Sequence, residues 1–124
     1  MKDYFTYVVC LGSNFESKEN IAKVLNLFKT TFETVKSSHF IQTKAINTIK
    51  ESFFTNGLVS FNSSYTEEEL HTLFKKIEVE MGRTKEKDKL EIIPIDIDII
   101  MCNSEVLNKD YYRTYIQNLL LEIK

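Results

Sequence analysis

Cysteines and long apolar runs are scarce in this 124-residue chain, and each scarcity excludes a class of protein. The two cysteines, Cys10 and Cys102, form no CxxC or Cys/His pattern, which argues against a zinc site. We expect free, buried thiols in a reducing cytoplasm, and their spacing leaves open whether they are neighbours on adjacent strands. No apolar run approaches the ~20 residues that span a bilayer, and the amino terminus lacks a signal-peptide layout. We therefore expect a cytoplasmic protein without a membrane partner.

The chain also lacks an excess of charge of one sign and any linker or internal repeat. Its net charge of -2 predicts no nucleic-acid partner and no binding to a membrane surface. A hydrophobic fraction of 43% and an aromatic fraction of 12% are enough for a packed core. We predict a single domain over residues 1–124, because this length suits one core and no composition shift divides it.

Apolar periodicity predicts an α+β fold in the order β-α-β-β-α-β, followed by a short carboxy-terminal helix. This order suits a ferredoxin-like sandwich, an antiparallel sheet with helices on one face. Ser17 is expected to cap the first helix, and Thr66 with Glu69 forms a capping box for the second. The predicted strands cover 7–11, 34–43, 53–61 and 95–101, and the terminal helix covers 111–123. Predicted irregular segments are a turn at 12–14 and loops at 44–52 and 83–91.

Two aspartates stand inside the last predicted strand, in the sequence Pro94-Ile95-Asp96-Ile97-Asp98-Ile99-Ile100. Side chains alternate along a strand, so Asp96 and Asp98 project from one face with Cα atoms roughly 7 Å apart. Two like charges in an apolar strand are costly unless a cation compensates them, and Mg²⁺ prefers carboxylate and phosphate oxygens. The pattern therefore predicts a magnesium site. An edge strand with solvated aspartates is the alternative that the motif leaves open.

A basic segment precedes this strand. Arg83, Lys85 and Lys89 place three cations where a loop can fold over the aspartates. Such a loop can clamp a triphosphate that Mg²⁺ bridges to the carboxylates. The alternative is a solvated charge run, in which Glu86 and Asp88 offset the lysines.

Together these segments resemble the hydroxymethyldihydropterin pyrophosphokinases of folate biosynthesis. The resemblance runs from about Tyr7 to Leu107, and its specificity lies in the order and spacing of its motifs. Those motifs are Leu11-Gly12-Ser13-Asn14, Phe54-Thr55-Asn56-Gly57, Glu78, Gly82-Arg83, Asp96-Ile97-Asp98-Ile99-Ile100 and the turn Asn103-Ser104-Glu105.

The resemblance implies an enzyme that transfers pyrophosphate from ATP to 6-hydroxymethyl-7,8-dihydropterin, with Mg²⁺, and releases AMP. It implies catalytic roles for Arg83, Asp96 and Asp98, and metal binding by the two aspartates. The pterin-binding residues that it implies are Phe54, Asn56, Tyr115 and Thr43. The nucleotide-binding residues that it implies are Glu78, Lys85, Lys89, Ile99 and Arg113.

The chain departs from the family pattern around the nucleotide. Ile93 replaces an arginine that faces the phosphates, and Thr43-Lys44-Ala45 stands where the family has Thr-Pro-Pro. The stretch between Leu107 and Arg113 is too short for the family's Pro-His segment. We therefore expect a slow pyrophosphokinase, as a monomer or homodimer. The alternatives are a relative that binds pterin or nucleotide with little catalysis, and a ferredoxin-like interaction module.

Overall fold

The computed structural model describes residues 4–44 and 53–124, and their secondary structure contains the predicted order. The strands in these ranges are β1 (Phe5–Ser13), β2 (Glu33–Ser37), β3 (Ile41–Lys44), β4 (Phe53–Ser63), β5 (Asp96–Cys102) and β6 (Glu105–Val106). The helices are α1 (Ser17–Thr31), α2 (Glu67–Glu80), α3 (Lys85–Lys89) and α4 (Thr114–Ile123), with a 3₁₀ turn at Lys109–Tyr112. Within these ranges no helix is long and apolar enough to cross a membrane.

All the strands belong to one antiparallel sheet in the order β2-β4-β1-β5-β6, with β3 also paired to β4. The two central strands, β1 and β4, pair from Phe5–Ser63 to Ser13–Thr55. This arrangement confirms the predicted ferredoxin-like α+β fold with a carboxy-terminal helix. It also makes β1 the neighbour of both β4 and β5, so residues from three strands meet across β1.

One face of the sheet packs against α1 and α2. Tyr7, Val9 and Leu11 alternate along β1 and are nearly inaccessible, as period-two patterning requires. The buried apolar cluster on this face also contains the stacked ring pairs Phe32–Phe61 and Phe28–Phe74. Burying one such side chain contributes about 1.5–3 kcal/mol, so this layer contributes substantially to the apolar stabilisation.

The opposite face packs against α4, which corrects the expectation of helices on one face only. Val8 and Cys10 of β1, Leu58 of β4 and Ile100 of β5 form a second buried cluster beneath this helix. The sequence shows the helix but not its side of the sheet, because either face of β1 carries apolar residues at this point. The cluster ends at Cys10, and the next residue of β1 on the same face is Gly12.

Several predicted boundaries are wrong, each for a local reason. Ser17 does not cap α1, since the cap position is Glu16 in the left-handed conformation and the Ser17 hydroxyl donates to the Ser13 carbonyl. The predicted strand 34–43 is interrupted, because Ser38 bonds the backbone of Leu58 and the Phe40 ring packs on Gly57. Thr66 and Glu69 do form the predicted capping box.

The other differences lengthen or shorten elements. The predicted turn at 12–14 is wrong for Gly12 and Ser13, which continue β1 because β4 and β5 extend beside them. The predicted loop 83–91 contains α3, which the Thr84 side chain caps. The terminal helix begins at Thr114, after the 3₁₀ turn, and the loop predicted at 44–52 lies outside the described residues from Ala45 onward. Cys10 and Cys102 are free thiols on neighbouring strands, and Cys102 is only partly buried.

Candidate active site

Sheet register brings the predicted site residues together on the face that α4 covers only in part. Gly12 of β1 pairs with Asn56 of β4 on one side and with Asp96 of β5 on the other. Cys10 likewise lies between Leu58 and Asp98. Residues that pair directly project to the same face, so Asn56, Gly12 and Asp96 form one row across three strands, and Asp98 lies in the next row on the same face. We call the surface of Gly12, Asn56, Asp96 and Asp98 the site face.

Gly12 is present on this face because no side chain fits there. A Cβ atom built on Gly12 would lie 2.5 Å from the Asn56 Oδ1 atom and 3.7 Å from the Phe54 ring. Asn56 is buried, and its Nδ2 group donates to the Thr43 hydroxyl on the neighbouring strand β3. The bare backbone of Gly12 therefore lets the Asn56 amide lie across β1, with one end fixed by Thr43.

Two aromatic side chains border the site face. Phe54 is half-buried on β4, beside Gly12. Tyr115 is half-buried in the first turn of α4. Burial raises the pKa of Tyr115 to about 12, and the nearby Cys10 thiol and Asp110 and Asp98 carboxylates add to the shift. The hydroxyl of Tyr115 therefore lies within the electrostatic field of the aspartate strand.

The two aspartates are not equivalent. Burial, together with the charge and hydrogen bond of Asp96, raises the pKa of Asp98 to about 7. Glu78 and Asp110 contribute in the same direction. Asp96 instead pairs with the Arg83 guanidinium, with 2.8 Å between Nη1 and Oδ1. The site face thus holds negative charge that the protein compensates at Asp96 and leaves largely uncompensated at Asp98.

Arg83 connects three carboxylates at the edge of the sheet. Besides Asp96, its Nε atom lies 3.1 Å from Asp88 Oδ1, and its Nη1 atom lies 3.3 Å from Glu78 Oε1. Glu78 is 3% exposed, and its Oε2 atom accepts the backbone N–H of Ile97 at 2.8 Å. Because Ile97 stands between the two aspartates, Glu78 fixes the strand and the arginine relative to each other.

The remaining predicted cations lie farther out. Lys85 and Lys89 are exposed on α3, and no ion pair joins either of them to the aspartates in the part of the chain that the structure describes. Arg113 occupies the position before the first residue of α4, and its Nε atom lies 2.8 Å from Asp110 Oδ1. The structure therefore places Arg83 in direct contact with the site face and leaves the two lysines around it.

A cavity of about 380 Å³ adjoins the site face along β5. Ile99 and Asp98 line it on the strand side, and Asn108 lines it on the side of the 3₁₀ turn. The α2 residues that line it include His71 and Lys75. Its walls combine an apolar side chain, a carboxylate and polar groups, which is the composition of a small-molecule site.

Two carboxylates form the candidate metal site. In residues 4–44 and 53–124 no group of three or more histidine, cysteine or acidic side chains is arranged to hold a metal ion. Mg²⁺ is usually held by one or two carboxylates together with phosphate oxygens and waters. Asp96 and Asp98 fit that donor set, and the raised pKa of Asp98 shows that a positive charge would be favoured there.

The family model described as 7,8-dihydro-6-hydroxymethylpterin-pyrophosphokinase (HPPK) matches residues 8–124, nearly the whole chain. The chain belongs to the HPPK family. No individual curated protein matches the chain. The family connects this fold to pyrophosphoryl transfer in folate biosynthesis, and its enzymes use ATP, generally with Mg²⁺. The resemblance drawn from the motifs is confirmed.

Asn14, which belongs to the first motif, and Asp110, which lies outside the motifs, have structural roles that the sequence does not reveal. The Asn14 side chain donates to the Glu91 carbonyl at 2.6 Å and accepts the Ile93 N–H at 2.7 Å. It therefore ties the segment before the aspartate strand to the end of β1. Asp110 was not predicted at all, although it contributes to the raised pKa values of Asp98, Cys10 and Tyr115. Its position directly before the helix predicted at 111–123 gives no signal.

Proposed function

We propose that this chain transfers the β,γ-pyrophosphoryl group of ATP to the hydroxymethyl oxygen of 6-hydroxymethyl-7,8-dihydropterin and releases AMP. The observation that carries the proposal is the register of the site face. It sets the Asn56 amide, which can recognise a heterocycle edge, one strand away from the paired aspartates. An organic substrate and a metal-bound phosphate would thus lie side by side, as group transfer requires.

The pterin end of the site is formed by Asn56, Thr43, Phe54 and Tyr115. The bond to Thr43 occupies the Asn56 Nδ2 group and leaves Oδ1 directed over Gly12. An acceptor in that position suits the N–H groups of a pterin edge. Phe54 and Tyr115 border the same face, and their rings offer apolar surfaces on which a flat heterocycle can pack.

Asp96 and Asp98 would hold Mg²⁺ at the phosphate end, where the ion would neutralise phosphate charge and orient the transferred group. Arg83 is already in contact with Asp96, so it lies within reach of phosphate oxygens at the same place. A guanidinium can make two-point hydrogen bonds to a phosphate, as it can to a carboxylate. Lys85 and Lys89 add positive charge around this site.

The nucleotide would extend from the aspartates into the adjoining cavity. Ile99 gives that cavity an apolar wall, and Asn108 gives it a polar one. Arg113 is the second arginine near this end, held by Asp110. Glu78 is buried and leaves little surface for a ligand. We therefore assign it an indirect role, in which it positions Arg83 and the Ile97 backbone.

Binding with little turnover is the second candidate, and Ile93 is the observation that favours it. The segment at Ile93 is anchored by its backbone to Asn14, while its side chain replaces an expected arginine. Loss of one donor that stabilises transition-state charge typically slows catalysis by about two to three orders of magnitude. The proposed enzyme is accordingly slow.

The test is calorimetric titration with the pterin substrate, a non-hydrolysable ATP analogue and Mg²⁺, followed by measurement of AMP release. We expect both ligands to bind, with nucleotide binding dependent on Mg²⁺. The double variant Asp96→Asn/Asp98→Asn should lose the Mg²⁺-dependent part of nucleotide binding while remaining folded, because it removes charge without changing shape.

Binding without AMP release would support the second candidate. Equal nucleotide affinity in wild type and the double variant would eliminate the metal assignment, and binding of neither ligand would eliminate both candidates.

A further inference from the structure

A carboxylate that the proposed reaction does not use stands close to the site face. Asp110 lies in the 3₁₀ turn Lys109–Tyr112, and its Oδ1 atom accepts from the Arg113 Nε atom at 2.8 Å. Its charge acts on Tyr115, Cys10 and Asp98. A carboxylate here repels a bound polyphosphate. Its presence is explained if Asp110 has a second effect that favours phosphate binding.

The 3₁₀ turn is firmly attached to the aspartate strand. The backbone N–H groups of Leu107 and Asn108 both donate to the Ile100 carbonyl, at 2.8 and 3.2 Å. The Asn108 side chain accepts the Asp110 N–H at 2.8 Å, and the same residue lines the cavity next to Asp98 and Ile99. The position of Asp110 is therefore fixed relative to the cavity wall.

Arg113 continues this chain of contacts into α4. Its backbone N–H donates to the Asp110 carbonyl at 3.0 Å, and its carbonyl accepts from Gln117, so the residue joins the turn to the helix. Its Nε atom is bound by Asp110, which leaves the terminal Nη groups of the guanidinium available in the described contacts. The charges of Arg113 and Asp98 both act on the pKa of Tyr115, which lies two residues after Arg113.

We propose that Asp110 is a positioning residue that holds Arg113 at the rim of the cavity as a second phosphate-facing cation. This inference rests on the proposed function. The pair Arg113–Asp110 resembles the pair Arg83–Asp88, because in each the guanidinium Nε atom contacts an aspartate Oδ1 atom, at 2.8 and 3.1 Å respectively. It supplies from α4 a charge that Ile93 does not supply from the segment before β5.

The sign of the effect separates this proposal from its alternatives. If Asp110 orients Arg113, then Asp110→Asn weakens nucleotide binding although it removes a negative charge near the phosphates. If Asp110 acts only as a charge, the same substitution strengthens nucleotide binding. If the pair is only a surface ion pair, the substitution changes neither affinity nor KM, because such pairs contribute little.

The experiment measures the Kd of a Mg²⁺-bound non-hydrolysable ATP analogue, and the KM for ATP and kcat, in wild type, Asp110→Asn, Arg113→Met and the double variant. We expect about a threefold to tenfold rise in Kd and KM for Asp110→Asn, with kcat changed less. The rise should be absent when Arg113 is already Met, and Asp110→Glu should restore part of the affinity. Glu80→Gln, which breaks the exposed Lys76–Glu80 pair on α2, is the matched control and should leave Kd unchanged.

Unchanged or tighter binding in Asp110→Asn overturns the positioning role, as does an equal loss in the Arg113→Met background. Melting temperatures of all variants identify any loss due to unfolding, and Asp110→Glu remains informative if Asp110→Asn folds poorly. A wild-type protein with no affinity for the analogue overturns the proposed function and this inference together. Wild-type affinity that is indifferent to Asp110 overturns this inference alone.

Discussion

The face of the sheet that packs against α4 has two ends, and they differ in how their polar groups are satisfied. At the far end the Thr6 hydroxyl donates to Asn62 at 2.9 Å, and the Thr6 N–H donates to Asn103 at 2.9 Å. We call this surface, which includes Ser60 and Met101, the far end. It borders a cavity of about 390 Å³ that is lined by the apolar Leu120 and Ile123 and by two lysines, Lys36 and Lys124.

The site face lies at the opposite end of the same strands and carries charge that remains unsatisfied. Asp98 ionises with difficulty beside Asp96, and Arg83 compensates only the latter directly. The two cavities have similar volumes, about 380 and 390 Å³, so size does not distinguish a site from an ordinary groove here. The two ends differ in the repulsion between the Asp96 and Asp98 carboxylates, which a bound cation would relieve together with its phosphate.

The largest expected effect comes from removing the cation of the site face. Arg83→Ala should lower the rate of AMP release by about two to three orders of magnitude, because a donor to developing phosphate charge is lost. Ile93→Arg should raise the wild-type rate, and it should fold, since Ile93 is anchored through its backbone rather than its side chain. The measurement is steady-state AMP release with pterin, ATP and Mg²⁺.

The control for this comparison is Lys76→Ala, which removes a cation from an exposed pair on α2. It should leave the rate unchanged. Brisk wild-type turnover that is indifferent to Arg83→Ala would contradict the assignment. It would mean that the phosphate-facing charge comes from residues other than Arg83.

A smaller effect is expected from a matched pair of amides on β4. Asn56→Ala should weaken pterin binding by about 1–3 kcal/mol, since the buried heterocycle edge would lose its partner. Asn62→Ala makes the same change at the far end of the same strand face and should leave pterin affinity unchanged. Calorimetric titration with pterin and the analogue measures both. Equal losses in the two variants would mean that the amides act through the fold rather than through the ligand.

The sequence predicts the fold and a set of candidate site residues, but it does not predict how those residues are arranged. The aspartate pair and Asn56 were found because strand periodicity and motif order are local properties of the chain. Their adjacency depends on the register across β1, which places Gly12 between them. Register arises from the pairing of distant strands, so no short segment reveals it.

The misplaced features share the same cause. Gly12 was assigned to a turn because glycine favours turns, whereas the structure requires it for the close approach of Asn56. Asp110 was overlooked because its importance comes from the fold of α4 back over the sheet. The Glu78 carboxylate is a nucleotide contact by resemblance, and that role stays a prediction. Its burial beside β5 depends on the packing of α2, which the sequence alone does not locate.

The smallest expected effect is on the free energy of unfolding, and it tests directly whether ionised Asp98 destabilises the fold. The raised pKa of Asp98, about 7 against the ordinary 3.8, means that the folded protein retains a proton between these values that the unfolded chain releases. Wild-type stability should therefore fall as the pH rises through this window, and the loss should be complete above about pH 7. Asp98→Asn removes this loss, so without Mg²⁺ it should be more stable than wild type at pH 8 by about 1–2 kcal/mol, with the difference vanishing near pH 4. Urea unfolding at pH 4, 6 and 8 measures the trend.

Asp96→Asn is the partner control, because it relieves the same repulsion but loses the 2.8 Å pair with Arg83, and its gain in stability should be smaller. A constant difference between Asp98→Asn and wild type across this range would show that Asp98 carries no such cost.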